Sequence, residues 1–233
     1  MRLQIDSRVV GEVLVVKCSG RIVAGGEVQA LHNHLKEAIT LETSDVVLHL
    51  GEVTFIDSSG IGTLVRLMTH ARSRGGDLKL CVIPEPIFRT LRMTNLSTVF
   101  ETYASDGEAI TASYQRRRSK QSETFHRLQT ILCLEESADV LAYLRELLRH
   151  SGYGVLTTSM LHDAKILLMA TRPSLIVLGP RMVQVRERST KELLGEMAPT
   201  VPVFVLEEDF STRDPGEAAV WLLEKVRHLL PAD

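Results

Sequence analysis

Residues 53–68, VTFIDSSGIGTLVRLM, decide how this chain is interpreted. A short apolar run at residues 53–56 meets an Asp-Ser-Ser-Gly turn, and a helical pattern follows directly. Apolar residues then recur at intervals of three and four, which is typical of one face of an amphipathic helix; they are Ile61, Leu64, Val65, Met68 and Ala71. The stretch therefore predicts a strand, a tight turn and a helix, with the turn as the first place to look for function.

The turn has the residues that begin a helix. Asp57 and Ser58 stand at the predicted N-cap, where a short side-chain oxygen accepts hydrogen bonds from free N–H groups. Those N–H groups and the positive end of the helix dipole favour negative charge, so a phosphate on Ser58 would be accommodated. Gly60 and Gly62 allow close approach of another chain or an unusual backbone turn. Ser59 is expected to be a second capping hydroxyl.

Two enzyme motifs that the turn resembles are incomplete. A dinucleotide-binding GxGxxG needs glycine where Val65 stands, and a serine-hydrolase GxSxG needs glycine where Ile56 stands. His70 falls about three turns along the predicted helix, too far away to act as a base for Ser58. We therefore predict a protein that is not an enzyme, with no catalytic residue, bound metal or cofactor.

Composition and charge narrow the class of protein. The 233 residues, 44% hydrophobic and 24% charged, suffice for one large or two ordinary domains. A net charge of −2 argues against direct nucleic-acid binding, and no apolar stretch approaches the ~20 residues of a membrane span. Cys18, Cys81 and Cys133 fall in predicted strands without metal-ligand spacing, so we predict buried thiols and a cytoplasmic location.

Strand-like and helix-like segments alternate along the whole chain, which predicts an α/β fold with two domains. Besides the central helix, the first domain has predicted strands at residues 3–5, 13–18, 46–50 with its extension 53–56, 78–83 and 99–103, and helices at 28–39, 87–93 and 107–114. The second has predicted strands at 131–134, 155–158, 175–178 and 201–206, and helices at 140–148, 162–170, 191–197 and 217–230. The β-α-β order of the second domain implies right-handed crossovers and a parallel sheet.

We place the domains at residues 1–114 and 129–233 and a basic polar linker at residues 115–128. Residues 116–124, RRRSKQSET, have no apolar periodicity. They are interpreted either as a solvated linker or helix end, or as a weak contact for an anion such as nucleic acid, lipid headgroup or an acidic partner.

Residues 1–112 resemble the STAS domain of bacterial anti-sigma-factor antagonists. The resemblance lies in VTFIDSSGIG at residues 53–62, in GGDLKL at residues 75–80 and in the order of the elements around them. It implies a mixed sheet with helices packed on it, and phosphorylation of Ser58, the first serine after the aspartate. The implied partners are an anti-sigma factor that is also an ATP-dependent serine kinase, and a metal-dependent serine phosphatase. The implied partner-binding residues are Asp57, Ser58, Ser59, Gly60, Ile61 and Gly62.

In that family the unphosphorylated antagonist binds the anti-sigma factor and so releases the sigma factor, whereas the phosphorylated form does not bind. This chain departs from many members after its second strand, where Gly20 is followed by RIVAGG without an acid before Glu27. Two other interpretations of the turn stay open: a constitutive scaffold in which Ser58 only caps the helix, and a sensor of nucleotides or small anions. The sequence also leaves open a homodimer through either domain.

Residues 129–230 resemble, more loosely, the receiver domain of response regulators. ILCLEE at residues 131–136 matches its first strand and acidic pair, and LIVLG at residues 175–179 matches its third strand. Gly179 stands where that family has its phosphoacceptor aspartate, Glu207 replaces a serine or threonine, and the fifth strand is missing. The resemblance implies a truncated flavodoxin-like parallel sheet that takes no part in phosphorelay and serves as a docking or dimer surface. Glu135 and Glu136 are either solvated loop acids or a residual cation site.

Overall fold

The computed structural model describes residues 2–121, 128–185 and 188–230. The chain divides into two compact units, Met1–Ser119 and Lys120–Asp233. Each unit contains its own sheet with helices packed on it, and each is described separately below.

The first unit has a five-stranded mixed sheet in the order β1-β2-β3-β4-β5, in which β1 and β2 are antiparallel and the other neighbours are parallel. Its strands are β1 (Gln4–Val10), β2 (Val13–Ile22), β3 (Asp45–Ile56), β4 (Asp77–Cys81) and β5 (Thr102–Tyr103). Its helices are α1 (Gly26–Ala38), α2 (Ser58–Ser73), α3 (Glu85–Met93) and α4 (Asp106–Gln121). This is the predicted mixed sheet, and the two predicted segments at residues 46–50 and 53–56 form the single strand β3.

Alternation along the strands gives this sheet two different faces. Leu14, Val46 and Leu78 lie side by side in the strand register and belong to the main hydrophobic core, which also contains the buried faces of α1 and α2. The residues one position earlier, Val13, Asp45 and Asp77, are likewise side by side and lie on the opposite face. That second face therefore carries two carboxylates at the start of its parallel strands.

Helix α4 pairs two arginines with the first of these carboxylates, Asp45. The second, Asp77, is contacted by Arg72 of α2 at 2.8 Å and by Arg116 at 3.8 Å. Arg116 Nη2 donates to Asp45 Oδ1 at 2.8 Å, and Arg117 Nε donates to Asp45 Oδ2 at 2.5 Å. Arg117 also pairs with Glu12 at 2.5 Å. Because the Asp45 side chain is only 1% exposed, its charge requires cationic partners.

The structure thus differs from the predicted linker at its start, since residues 115–121 continue α4. Their charged partners are 71 and 105 residues away along the chain, so no local pattern could show the contact. The positive charges of Arg116 and Arg117 are used within the first unit, which counts against an anion contact by these two residues. Residues 122–127 of the predicted linker lie outside the described residues.

The second unit has a four-stranded parallel sheet in the order β11-β8-β6-β7, which confirms the predicted parallel arrangement. These strands are β6 (Thr130–Leu134), β7 (Gly154–Thr158), β8 (Leu175–Leu178) and β11 (Val203–Val205). The helices are α5 (Ala138–His150), α6 (Leu161–Thr171), α7 (Thr190–Met197) and α8 (Pro215–Leu229). The sequence did not predict the short antiparallel pair β9 (Gln184–Val185) and β10 (Arg188–Ser189), whose two-residue strands are too short to show a periodicity.

The three cysteines are buried free thiols, as predicted. Burial raises the pKa of Cys18, Cys81 and Cys133 to about 12, which keeps these groups protonated near neutral pH. Within the described parts of the chain, no helix has the length and apolar character needed to cross a membrane.

Candidate functional site

The turn between β3 and α2 lies at the carboxyl end of parallel strands, the edge at which open α/β sheets commonly place their sites. Ile56, the last residue of β3, is the register partner of Ile22, the last residue of β2. Asp57 N then donates to Ile22 O at 3.2 Å, and Ile61 N donates to Asp57 O at 2.9 Å, which begins the helix. The backbone of the turn is therefore fixed at both its strand side and its helix side.

Asp57 is the N-cap of α2. Its Oδ1 accepts a hydrogen bond from Gly60 N at 2.8 Å, and its Oδ2 accepts one from Ala24 N, also at 2.8 Å. The carboxylate thus connects the loop after β2 to the first turn of α2. Hydrogen bonds from the backbone N–H groups of Ala24 and Gly60 lower the pKa of Asp57, with a further contribution from the charge of Arg21. Asp57 is therefore a structural anion, and its two oxygens are already engaged.

Ser58 is the first residue of α2, and its side chain is exposed. Among the residues that the structure describes, none forms a hydrogen bond with the Ser58 hydroxyl. The interpretation of Ser58 as a cap is therefore wrong, since Asp57 provides the capping oxygen. Ser59 is also exposed and its hydroxyl caps nothing in the described structure, while its carbonyl accepts from Thr63 Oγ1 at 2.9 Å. Two adjacent hydroxyls thus stand free at the positive end of a helix.

The two glycines of the turn have different roles. A Cβ atom on Gly60 would lie 2.5 Å from Ile22 O and 2.7 Å from Ile56 Cγ1, so only glycine lets α2 approach the end of β2 this closely. A Cβ atom on Gly62 would meet only Arg66 Nη1, at 3.8 Å. Gly60 is therefore needed by the fold, whereas the space beside Gly62 is open.

The predicted binding residues accordingly divide into two groups. Ser58, Ser59 and Gly62 are exposed or half-buried and present their surface outward. Asp57, Gly60 and Ile61 hold the turn: Asp57 by its hydrogen bonds, Gly60 by its close packing and Ile61 by burial in the core.

One neighbouring pair was not singled out from the sequence. Arg21 of β2 is the register partner of Phe55 of β3, and its guanidinium carbon lies 5.2 Å from the centroid of the Phe55 ring. Both side chains are exposed at the same end of the sheet as Ser58. The pairing depends on a register shift between Gly20 and Arg21, which no sequence pattern reveals.

Around this turn the described residues offer no cluster of metal ligands. No group of three or more His, Cys, Asp or Glu side chains that could hold a metal ion occurs in the described ranges. His70 lies in the last turn of α2, where its Nε2 contacts Arg74 Nε at 3.3 Å. A cavity of about 500 Å³ is lined by Gly51, Val82, Phe88 and Tyr103 among others, and none of its lining residues belongs to the 57–62 turn.

In the second unit the space at the end of β8 is occupied by a side chain, whereas the turn after β3 in the first unit is exposed. Glu135, directly after β6, is buried and its Oε1 accepts from Ser137 N at 3.0 Å. A Cβ atom on Gly179 would lie 1.5 Å from Glu135 Oε2, so this carboxylate occupies the space that a side chain at position 179 would need. The interpretation of both acids as solvated is therefore wrong for Glu135 and holds only for Glu136, which is exposed.

A comparison with known families finds a match within the first unit. The model of the STAS domain matches residues 4–109, which include β1 to β5 and the Asp57–Ser58 turn. The remainder of the chain lies outside this match.

Proteins that are similar to this region include anti-sigma-factor antagonists. The STAS region is 26% identical over 120 residues to the anti-sigma F factor antagonist of Paenibacillus polymyxa, covering 48% of this chain and 95% of the relative. It is 32% identical over 74 residues to the anti-sigma-B factor antagonist of Listeria monocytogenes, covering 32% of this chain and 60% of that relative. A solved anti-sigma-factor antagonist (STAS) domain protein from Planctomyces limnophilus is 22% identical with a TM-score of 0.43, over 48% of this chain and 98% of that one.

Proposed function

We propose that this protein is an anti-sigma-factor antagonist that works by partner switching at Ser58. The unmodified STAS unit binds an anti-sigma factor that is also a serine kinase, and it releases this partner once Ser58 is phosphorylated. In the modification the γ-phosphoryl group passes from ATP to Ser58 Oγ, the bond to ADP breaks and the hydroxyl proton is released. A metal-dependent serine phosphatase hydrolyses the ester and returns the protein to its binding form.

The observation that carries the proposal is the exposed and unbonded hydroxyl of Ser58. Because Asp57 supplies the cap, the Ser58 hydroxyl is not required to hold the helix and is open to a kinase. A phosphate adds roughly −1.5 to −2 charges at pH 7 and lies at the positive end of α2, where backbone N–H groups favour it. We therefore expect modification to leave the fold intact.

The same phosphate is incompatible with a close interface at this point. A packed partner surface would meet added bulk and a charge that has to be desolvated. A loss of affinity of about 100-fold corresponds to only about 2.7 kcal/mol, which is within the effect of one such group. We propose Ser58, Ser59 and Gly62 as the contact residues, supported from beneath by Asp57, Gly60 and Ile61.

The test uses the full chain with each ATP-binding anti-sigma factor encoded in the same genome. Incubation with ATP should give one phosphate located at Ser58 by mass spectrometry and none in Ser58→Ala. Binding measured by calorimetry should fall at least about 30-fold in Ser58→Glu, since one added charge reproduces part of the effect of a phosphate. Stoichiometric phosphate that survives in Ser58→Ala would overturn the assignment, and binding unchanged in Ser58→Glu would favour a constitutive scaffold.

Gly62→Ala provides a matched variant for the contact surface. The space beside Gly62 is open in the folded protein, and alanine favours a helix over glycine by roughly 1 kcal/mol, so the variant should be at least as stable as the wild type. A partner that packs on this surface should nevertheless bind it more weakly. Retained affinity in Gly62→Ala would move the interface away from this side of the turn.

We further propose that the second unit is a degenerate receiver domain that serves as a docking or dimer surface. The strand order β11-β8-β6-β7 is that of a flavodoxin-like sheet without its last strand, which supports this assignment. Gly179 offers no carboxylate at the end of β8, so an acyl phosphate cannot form there. Acetyl phosphate with Mg²⁺ should leave residues 128–230 unmodified by mass spectrometry, and a phosphoaspartate in this unit would contradict the assignment.

A further inference from the structure

Arg21 and Phe55 form a prominent exposed feature beside the Ser58 turn. The guanidinium carbon of Arg21 lies 5.2 Å from the centroid of the Phe55 ring, and Phe55 is 47% exposed. The ring holds the guanidinium in place without using its hydrogen-bond donors, because the contact is with the face of the ring. The result is a cation that is oriented before any partner arrives.

The hydrogen-bond donors of Arg21 have no acceptor in the described part of the chain. No ion pair or hydrogen bond of Arg21 with another described residue is present. The carboxylate of Asp57 is close enough for the charge of Arg21 to lower its pKa, but both of its oxygens already accept from backbone N–H groups. Glu27, in the first turn of α1, also forms no pair with Arg21 in the described structure. The donors of the guanidinium are thus available to a group from outside.

We infer that the face formed by Arg21, Phe55 and Ser58 docks a segment of the anti-sigma factor that presents a carboxylate to Arg21, and that a phosphate on Ser58 takes the place of that carboxylate. This inference rests on the proposed function and adds the chemistry of the partner and the reason why it leaves. The carboxylate is inferred from charge complementarity. An exposed arginine stacked on an aromatic ring can bind a carboxylate through two parallel hydrogen bonds.

The switch then works by competition as well as by bulk. An exposed arginine beside a large aromatic side chain has the composition of an interface hot spot, so its loss to another ligand is costly for the complex. Phosphoserine is a stronger and permanently tethered acceptor than a carboxylate on a separate protein. Once Ser58 carries a phosphate, Arg21 is paired within its own chain and the partner carboxylate is left without its cation.

A titration of the phosphorylated protein tests the pairing of Arg21 without any partner. Phosphoserine is introduced at position 58 of the full chain during translation, and its second ionisation, normally near pH 6, is followed by phosphorus NMR. Loss of a paired cation disfavours the dianion, so Arg21→Gln should raise this pKa by about half a pH unit. Lys36→Gln serves as the control and removes the same charge. Lys36 lies ten residues after Gly26, the first residue of α1, and is therefore ~15 Å from the beginning of that helix. Equal pKa values in wild type and Arg21→Gln would overturn the pairing.

Binding to the anti-sigma factors of the same genome tests the partner's chemistry. Arg21→Glu should weaken binding of the unphosphorylated chain at least about tenfold, since like charges then face each other. Lys36→Glu changes the net charge equally and should stay within about twofold. Arg21→Gln, which introduces no repulsion and no strain on the strand, should lie between Arg21→Glu and the wild type. Unchanged binding in both Arg21 variants would overturn the docking of a carboxylate.

The outcomes separate this inference from the proposed function. If a phosphate at Ser58 abolishes binding while both Arg21 variants bind like the wild type, the inference fails and partner switching stands. If none of the anti-sigma factors binds the wild type, the proposed function fails and the docking of a carboxylate fails with it. The phosphate titration still decides in that case whether Arg21 pairs with position 58.

Discussion

The turn after β3 in the first unit and the turn after β8 in the second have equivalent positions in their sheets but differ in structure. The first presents an exposed side chain, and the second does not. Both follow a parallel strand at the carboxyl edge of a sheet. At the first, Asp57 binds two backbone N–H groups and leaves the next residue, Ser58, exposed. At the second, Gly179 has no side chain, and the carboxylate of Glu135 fills the space that one would need.

The difference shows what makes such a turn available for modification. A reactive group has to be present, it has to be free of structural duties, and there has to be space around it. Asp57 meets the structural need at the first turn and so frees Ser58. At the second turn no acceptor is present at position 179, and the space is taken by Glu135. We therefore expect regulation by phosphate to be confined to the first unit.

The largest effect on the free energy of unfolding is expected from a charge placed on the buried face of α2. Leu64 is fully buried in the core on the inner face of α2. Leu64→Asp should cost at least about 4 kcal/mol, since it loses apolar burial and places a carboxylate in the core. Urea denaturation followed by circular dichroism should show the first unit unfolded or close to its midpoint in buffer.

Thr69→Asp is the matched control, because Thr69 is an exposed residue of the same helix. Its cost should not exceed about 1 kcal/mol, the range of intrinsic helix preferences. A wild-type midpoint for Leu64→Asp would mean that this face of α2 is not packed against the sheet.

The filled turn can be examined with a double-mutant cycle. Gly179→Ala places a Cβ atom where Glu135 Oε2 now lies, so Glu135 has to move and give up its hydrogen bond from Ser137 N. We expect a loss of about 1–3 kcal/mol in the free energy of unfolding, measured in urea. In the Glu135→Ala background the same change should cost much less, because the space is then empty. Additive costs would show that Glu135 does not occupy this space.

The open turn makes a smaller and more specific prediction about two adjacent residues. Asp57→Ala removes the cap and should lower the free energy of unfolding by about 0.5–2 kcal/mol. Ser58→Ala should stay within about 0.5 kcal/mol of the wild type, since the Ser58 hydroxyl supports nothing in the described structure. The comparison also serves as a control for the binding experiments. If a Ser58 variant is as stable as the wild type, its loss of binding is not caused by unfolding. The reverse order of the two effects would return Ser58 to the role of cap.

Periodicity in the sequence was sufficient for the class of fold and for most of its elements. The spacing of Ile61, Leu64 and Met68 predicted α2, the alternation of strands and helices predicted an α/β fold, and the β-α-β order predicted a parallel sheet in the second domain. The mixed sheet of the first domain was implied by the resemblance to the STAS domain. Local chemistry was less decisive at the turn itself. Asp57 and Ser58 are both good caps, and the hydrogen bond from Gly60 N to Asp57 Oδ1 shows which of them is used.

Contacts between residues distant in sequence account for the other differences. α4 extends through Arg116 and Arg117 because buried Asp45 holds them, across 71 residues in the case of Arg116. The stacking of Arg21 on Phe55 depends on an irregular register between β2 and β3. A sequence pattern reports periodicity within one segment, and such pairings are decided between segments.

The smallest expected effect concerns pH and again separates Asp57 from Ser58. Hydrogen bonds from Ala24 N and Gly60 N favour the ionised form of Asp57 and hold its pKa below the usual 3.8. A carboxyl group with a lowered folded-state pKa contributes stability that is present above the unfolded-state pKa and is lost as pH falls through the folded-state value. The free energy of unfolding should therefore differ between wild type and Asp57→Asn at pH 7. This gap should shrink as pH falls below the unfolded-state pKa and close below the folded-state pKa. The gap is smaller than for Asp57→Ala because asparagine keeps an acceptor oxygen. The difference in the free energy of unfolding between Ser58→Ala and the wild type should not depend on pH. If the difference for Asp57→Asn instead persists unchanged to about pH 2, below the ordinary range of aspartate, the charge of Asp57 contributes nothing to the turn.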